Sequence, residues 1–251
     1  MQNPHMSSPA QAMVLAAGRG ERMRPLTDTT PKPLLEVQGK PLMQWTLETL
    51  ARGGVTKVLV NTAWLGEQIP TRFGTRLAPQ DGHPIELLYS HEGNDFGGAL
   101  ETAGGIVRAL PRLAPVFWVA AGDVFAPRFD FAQEAMTRFA NSGRLAHLWL
   151  VPNPAHHSRG DFGIATDGSA LIDSPRRFTF STIALYRSEL FASPHCDIGA
   201  GNPMGIRAAL GPLLREAIRG GHVSAEVYEG PWTDVGTPQR LAQLRTEERP
   251  A

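Results

Sequence analysis

Apolar residues fall into two rhythms along this chain. Short unbroken apolar runs, bounded by glycine, proline, asparagine or aspartate, alternate with stretches in which apolar residues recur at helical spacing. The runs at 12–16, 55–60, 85–89, 116–121 and 145–151 predict strands. The helical spacings predict helices at 41–51, 66–73, 101–110 and 129–140, with Pro41 opening the first and Gly53 and Gly54 ending it. A glycine-rich segment, 93–98, stands before the third of these helices. Further on the pattern loosens. Residues 161–165 and 178–186 predict strands, and the turn at 166–169 between them predicts an antiparallel excursion. A helix is expected at 204–219, a strand at 223–228 and a turn at 234–238, where Thr237 is placed to cap a last helix beginning at Pro238. Strands alternating with helices predict an α/β fold: a Rossmann-like, doubly wound, mixed but mostly parallel sheet in a single domain spanning 12–251, after a flexible tail at 1–11.

Composition narrows the partners. The 251 residues carry 24 basic and 24 acidic side chains, so nothing global points to nucleic acid or a membrane surface. An anionic ligand would have to be caught by a local cluster. A single cysteine, Cys196, excludes an intramolecular disulfide and suits a reducing compartment. No apolar stretch is long enough to span a bilayer, and the polar start lacks the apolar core of a signal peptide. A cytoplasmic location follows as the expectation, with a monomer or weak dimer as the expected state.

The local cluster lies in the loop after the first strand, 15–27. Gly18 and Gly20 allow its N–H groups to turn inward as a nest for anionic oxygens, and Arg19, Arg22 and Arg24 add charge and forked donors. Pro25, Pro31 and Pro33 exclude a long helix directly afterwards. The loop therefore lacks the helix and third glycine of a dinucleotide fingerprint, and it has no Gly-Lys-Ser/Thr of a P-loop. In a doubly wound sheet, ligands gather at the carboxyl ends of strands. Asp123 and Asp234 both follow predicted strands, and two carboxylates opposite a phosphate loop suggest an oxygen-preferring metal, Mg²⁺. His156 and His157 are adjacent, but no cysteine or carboxylate spacing completes a zinc set around them.

The loop 15–27 with Pro31-Lys32-Pro33-Leu34, Gly122-Asp123, the segment 178–181 and the segment 232–238 together resemble the ordered motifs of the sugar-1-phosphate nucleotidylyltransferases. The resemblance runs from about Ala12 to Leu244. Segments 61–66, 100–105 and 153–157 resemble the uridylyl-transferring branch of bacterial cell-wall recycling. The resemblance implies that UTP and a sugar 1-phosphate, N-acetylmuramic acid 1-phosphate, react to release pyrophosphate. A guanylyl- or thymidylyltransferase on a mannose- or heptose-type sugar, and a non-catalytic nucleotide-binding regulatory module, remain open. It further implies catalytic roles for Arg24, Lys32 and Asp123, and Mg²⁺ held by Asp123 and Asp234. The nucleotide would meet Leu15, Ala17, Gly18, Gly20, Glu21, Arg22, Lys32, Glu92 and Thr102. The sugar would meet Glu101, Ala121, Asn153, Gly160 and Asp161. The chain departs from the family at Ala103 and Thr182, where glycines are usual, at Ala121, where an asparagine is expected, and in a longer 93–99 segment.

Overall fold

A computed structural model describes residues 10–246. Its main sheet joins β1 (Ala10–Leu15), β2 (Lys57–Thr62), β3 (Arg76–Leu77), β4 (Ile85–His91), β5 (Leu113–Ala121), β7 (Ala146–Val151), β8 (Thr179–Arg187) and β9 (Val223–Val227). The short β6 (Val124–Phe125) and β10 (Thr233–Asp234) form a separate antiparallel ribbon. The order in the main sheet is β9-β7-β8-β5-β1-β2-β4-β3. β8 runs against both of its neighbours and β3 against β4, while the remaining pairings are parallel. This is the mixed, mostly parallel sheet expected from the alternation of elements.

Unbroken apolar runs form these strands because both faces of the sheet are covered. In β5, Phe117 and Val119 join the core on one face, and Trp118 and Ala120 join the core on the other. Met13 of β1 faces the first layer, and Ala12 and Val14 face the second. The first layer is closed by α4 (Glu101–Ala109) and α6 (Leu210–Arg219). The second is closed by α1 (Leu42–Arg52), α2 (Gln68–Phe73) and α5 (Gln133–Asn141). A third, smaller core holds Met23, Val37, Phe125 and Val235 against Leu241 and Leu244 of α7 (Pro238–Thr246).

Several boundaries differ from the pattern. β1 begins at Ala10, inside the expected tail, and residues 1–9 lie outside the described residues. α5 starts at Gln133 rather than 129, because Phe129 and Phe131 turn into the aromatic core, with ring centroids 5.5 Å from Trp149 and 5.1 Å from Trp118 respectively. α6 starts at Leu210 rather than 204. The segment before it lies along α4, where Ala208 accepts from the N–H groups of Ala103 (2.9 Å) and Gly104 (3.1 Å). The fully buried Asn202 knots this segment, donating to Ile206 O at 2.8 Å and accepting from Ile206 N–H at 2.8 Å. The strand expected at 161–165 shrinks to Gly163–Ile164, which pairs with Ala170–Leu171 around the expected turn. The glycine-rich 93–98 segment holds a short helix, α3 (Glu92–Phe96), packed beneath Gly205. No helix among the described residues is long and apolar enough to cross a membrane.

Candidate active site

β1 and β5 end level, Leu15 opposite Ala121, so the loops leaving them emerge side by side. Gly122 N–H donates to Leu15 O at 2.9 Å and ties the two exits together. The chain then turns through Gly20 at φ 66° into a single 3-10 turn, Glu21–Met23. Thr27 Oγ1 donates to Gly20 O at 2.8 Å and closes the loop. Met23, fully buried in the third core, pins it from below. Gly18 serves differently from Gly20: its φ is not positive, and a Cβ there would meet nothing within 4 Å. Its missing side chain leaves backbone open to the cavity in front.

The loop's amides supply the main chemical signal. Ala16 N–H donates to Asn61 Oδ1 at 2.9 Å. Among the described residues, the N–H groups of Ala17, Gly18, Arg19, Gly20, Glu21 and Arg22 donate to no protein acceptor. A succession of unpaired amides at a turn is a receptor for anionic oxygens. Gly18, Gly20, Glu21 and Arg22 of this run line a cavity of about 450 Å³ together with Leu15, Ala16, Met23, Lys32, Pro33, Asp123 and Gly236. Lys32 is held beside the loop by Pro31 and Pro33, its stem lies against Gly20, and its ammonium is ion-paired to Asp123 Oδ2. Arg22 makes no ion pair or hydrogen bond among the described residues, so its guanidinium is available to the cavity.

Asp234 does not line this cavity but is brought next to Asp123 by the β6–β10 ribbon, where it pairs with Val124, and Val235 N–H donates to Asp123 O at 3.1 Å. Its Oδ1 is ion-paired to Arg240 and lies 3.1 Å from His156 Nε2. Asp123 Oδ1 and Asp234 Oδ2 make no hydrogen bond among the described residues. Two carboxylates so joined, Asp123 in the turn before β6 and Asp234 on β10, each with an oxygen to spare beside an anion receptor, fit Mg²⁺, which takes few protein ligands and completes its shell with water and phosphate oxygens. Among the described residues no cluster of three or more histidine, cysteine, aspartate or glutamate side chains forms a closed metal cage.

A second cavity, of about 520 Å³, adjoins the first at Leu15. Glu101, Thr102 and Asp161 line it, together with Phe180, Thr182, Tyr186 and Arg215. Glu101 opens α4 at φ 58° and Thr182 sits in a β8 bulge at φ 62°, two strained non-glycine positions facing one space. Asp161 is fixed by Phe180 N–H at 2.8 Å and His157 Nε2 at 3.1 Å.

The remaining expected residues stand elsewhere. Arg24 is 61% exposed, off the cavity, and bonds Asp28 at 2.7 Å, a contact that with Arg19 holds the Asp28 carboxyl below the usual range. Glu92, expected at the nucleobase, is fully buried. Its oxygens accept from Asn61 Nδ2 (2.7 Å) and Leu100 N–H (2.8 Å), and burial pushes its carboxyl above the ordinary range. It is a post that holds Asn61 under the loop rather than a ligand contact. Asn153 spends its amide on Ser158 O (3.1 Å) and Arg177 O (2.9 Å) and accepts from Thr179 (2.9 Å), while Gly160, at φ 60°, makes room for it. Both shape the second cavity's rim without lining it. Ala17 and Ala121 are small buried residues beneath the site. Arg240, Tyr186 and Arg215 escaped the sequence reading, and His156, weighed there only as a zinc ligand, stands instead beside Asp234. A cation in the first turn of a helix opposes the helix dipole, and Arg240 carried that signal.

The chain matches the nucleotidyl transferase family model over residues 11–249. It is 44% identical over 239 residues to the N-acetylmuramate alpha-1-phosphate uridylyltransferase of Neisseria meningitidis, covering 94% of this chain and 96% of that protein. The protein of the same name from Caulobacter vibrioides is 31% identical over 248 residues, covering 96% and 97%. A solved Bacillus anthracis chain described as a glucose-1-phosphate thymidylyltransferase superposes with a TM-score of 0.71 at 17% identity, covering 96% of this chain and 97% of its own.

Proposed function

The chain belongs to the nucleotidyl transferase family, and from that premise we propose that it joins UTP to N-acetylmuramic acid 1-phosphate, forming the UDP-sugar and releasing pyrophosphate. The full-length similarity to two uridylyltransferases of that name supports the substrates. The observation that carries the chemistry is the run of unpaired amides at 17–22 beside Lys32 and Asp123.

An oxygen of the sugar phosphate attacks the α-phosphorus of UTP, and the bond from that phosphorus to the bridging oxygen of pyrophosphate breaks. The attacking oxygen is already ionised at neutral pH, so no general base is required. The obstacle is bringing several negative charges together in line, and positioning with charge neutralisation lowers it. The loop amides hold the β- and γ-phosphates. Arg22 faces the cavity and Arg24 does not, so Arg22 holds the departing pyrophosphate. Lys32 neutralises the α-phosphate and the incoming sugar phosphate. Asp123 and Asp234 would hold Mg²⁺, which when bound screens the triphosphate's charge. The second cavity takes the sugar, with Glu101 and Asp161 toward its hydroxyls.

The test is pyrophosphate release from purified protein with Mg²⁺, N-acetylmuramic acid 1-phosphate and each of UTP, dTTP, GTP, CTP and ATP. UTP should give the dominant signal, and Asp123→Ala should lose it by at least about 100-fold. Dominant release with another nucleotide would overturn the uridylyl assignment. Tight nucleotide binding with no release from any sugar phosphate would overturn the enzymatic one.

A further inference from the structure

We propose that Arg215 reads the carboxylate of the sugar substrate and so sets the enzyme's preference for an acidic sugar 1-phosphate. This rests on the reading that the second cavity holds the sugar. N-acetylmuramic acid 1-phosphate carries two anionic groups: the phosphate at one end and the carboxylate of its lactyl ether on the ring. The first cavity, with its amides, Lys32 and Arg22, accounts for the phosphate. Nothing in it accounts for the carboxylate.

The second cavity offers one cation among the residues that line it, Arg215 of α6. The two acids there, Glu101 and Asp161, would repel a second carboxylate. Asp161 is already satisfied by His157 and Phe180 N–H. Arg215 forms neither an ion pair nor a hydrogen bond among the described residues, and its NH1 comes within 3.4 Å of where a Cβ on Gly211 would stand. The small residue one turn earlier leaves the guanidinium room at the cavity wall. A forked donor at the wall of an otherwise apolar and acidic space suits a bidentate carboxylate. A second unsatisfied group shares that wall: Tyr186 is fully buried and its hydroxyl has no hydrogen-bond partner. Buried hydroxyls are normally paired, so this one marks a polar position left open behind the wall.

The experiment uses the full chain with UTP and Mg²⁺ and compares N-acetylmuramic acid 1-phosphate with its lactyl methyl ester, which removes the charge and keeps the shape. Wild-type protein should favour the acid over the ester by roughly 10- to 100-fold in kcat/KM, as expected for a charge-assisted contact. Arg215→Gln should erase that preference by raising KM for the acid, with kcat and the KM for UTP little changed. Arg215→Lys should recover part of it. Calorimetric binding of both sugars to each variant gives the same comparison without turnover. Equal loss on acid and ester, or a preference that survives in Arg215→Gln, would overturn the assignment of Arg215 while leaving the proposed reaction standing. Failure of wild-type protein to use the acid at all would overturn both.

Discussion

At the scale of single residues, the proposed reaction separates groups that would meet the ligand from groups that hold those groups in place. Lys32 is of the first kind. Its stem lies on Gly20 and its ammonium on Asp123, whose carboxylate stays one-third exposed. Water can therefore solvate Asp123 when the lysine charge is removed, and a pair of this kind contributes little to stability. Lys32→Met keeps the stem and deletes the charge. It should lower kcat by roughly 100- to 1,000-fold while leaving the melting temperature within error of wild type. Arg24→Met should cost less than about tenfold, because Arg24 is spent on Asp28 at 2.7 Å and stands off the cavity. Steady-state kinetics beside a thermal melt of both variants separates the two arginine and lysine roles. A larger loss at Arg24 than at Lys32 would reverse the assignment. Glu92 is of the second kind: buried, doubly hydrogen-bonded, and connected to the loop through Asn61 and Ala16 N–H.

At the scale of elements, α4 is built to be approached. A Cβ on Gly105 would stand 2.6 Å from Glu92 Oε1 and 3.0 Å from Asn61 Nδ2, and one on Gly104 would stand 2.5 Å from Ile206 O. Glycine costs a helix about 1 kcal/mol relative to alanine, so two in succession mark a contact that outweighs propensity. Gly105→Ala gains that propensity and forces the Glu92–Asn61 post apart. The net should be a loss of roughly 1–2 kcal/mol, or a melting temperature lower by about 2–8 °C. A variant at least as stable as wild type, in a thermal melt, would show that the post yields freely. The same elements explain what the sequence disclosed. The parallel strands were legible because burial on both faces makes them continuous apolar runs, as in 116–121. The start of α6 was not, because Ile206 lies four residues before Leu210 and so continues its helical spacing, while Ile206 stands 46% exposed in the irregular segment ahead of the helix. The loop at 15–27 could be singled out as the candidate anion receptor because its glycines, arginines and prolines are neighbours in sequence. Arg240 with His156 could not be, because they meet across 84 residues, and Arg215 acts on a cavity whose other walls come from α4 and β8.

At the scale of the whole molecule, the 15–27 loop and α7 share one small core. Met23 lies beneath the unpaired amides, Leu241 and Leu244 of α7 pack in the same cluster, and Arg240, the residue before Leu241, holds Asp234. Among the described residues, the two large cores hold only the first residues of the loop, Leu15 against one and Ala16 in the other, whereas the small core holds Met23 beneath the amides. Damage to the small core should therefore reach nucleotide binding, whereas equal damage to a large core should not. Leu241→Ala and Leu50→Ala remove the same atoms from fully or almost fully buried positions, Leu241 in the small core and Leu50 in the α1 layer. Each should lose about 2–5 kcal/mol in denaturant unfolding. Calorimetric titration with UTP and Mg²⁺, well below both melting transitions, should show affinity reduced by about tenfold in Leu241→Ala, which corresponds to 1.4 kcal/mol, and unchanged in Leu50→Ala. Equal effects of the two substitutions on UTP affinity would mean that the loop responds to overall stability rather than to the core beneath it. A selective loss in Leu241→Ala would tie the C-terminal helix to the 15–27 loop, although the chain between them builds every strand of the main sheet but β1.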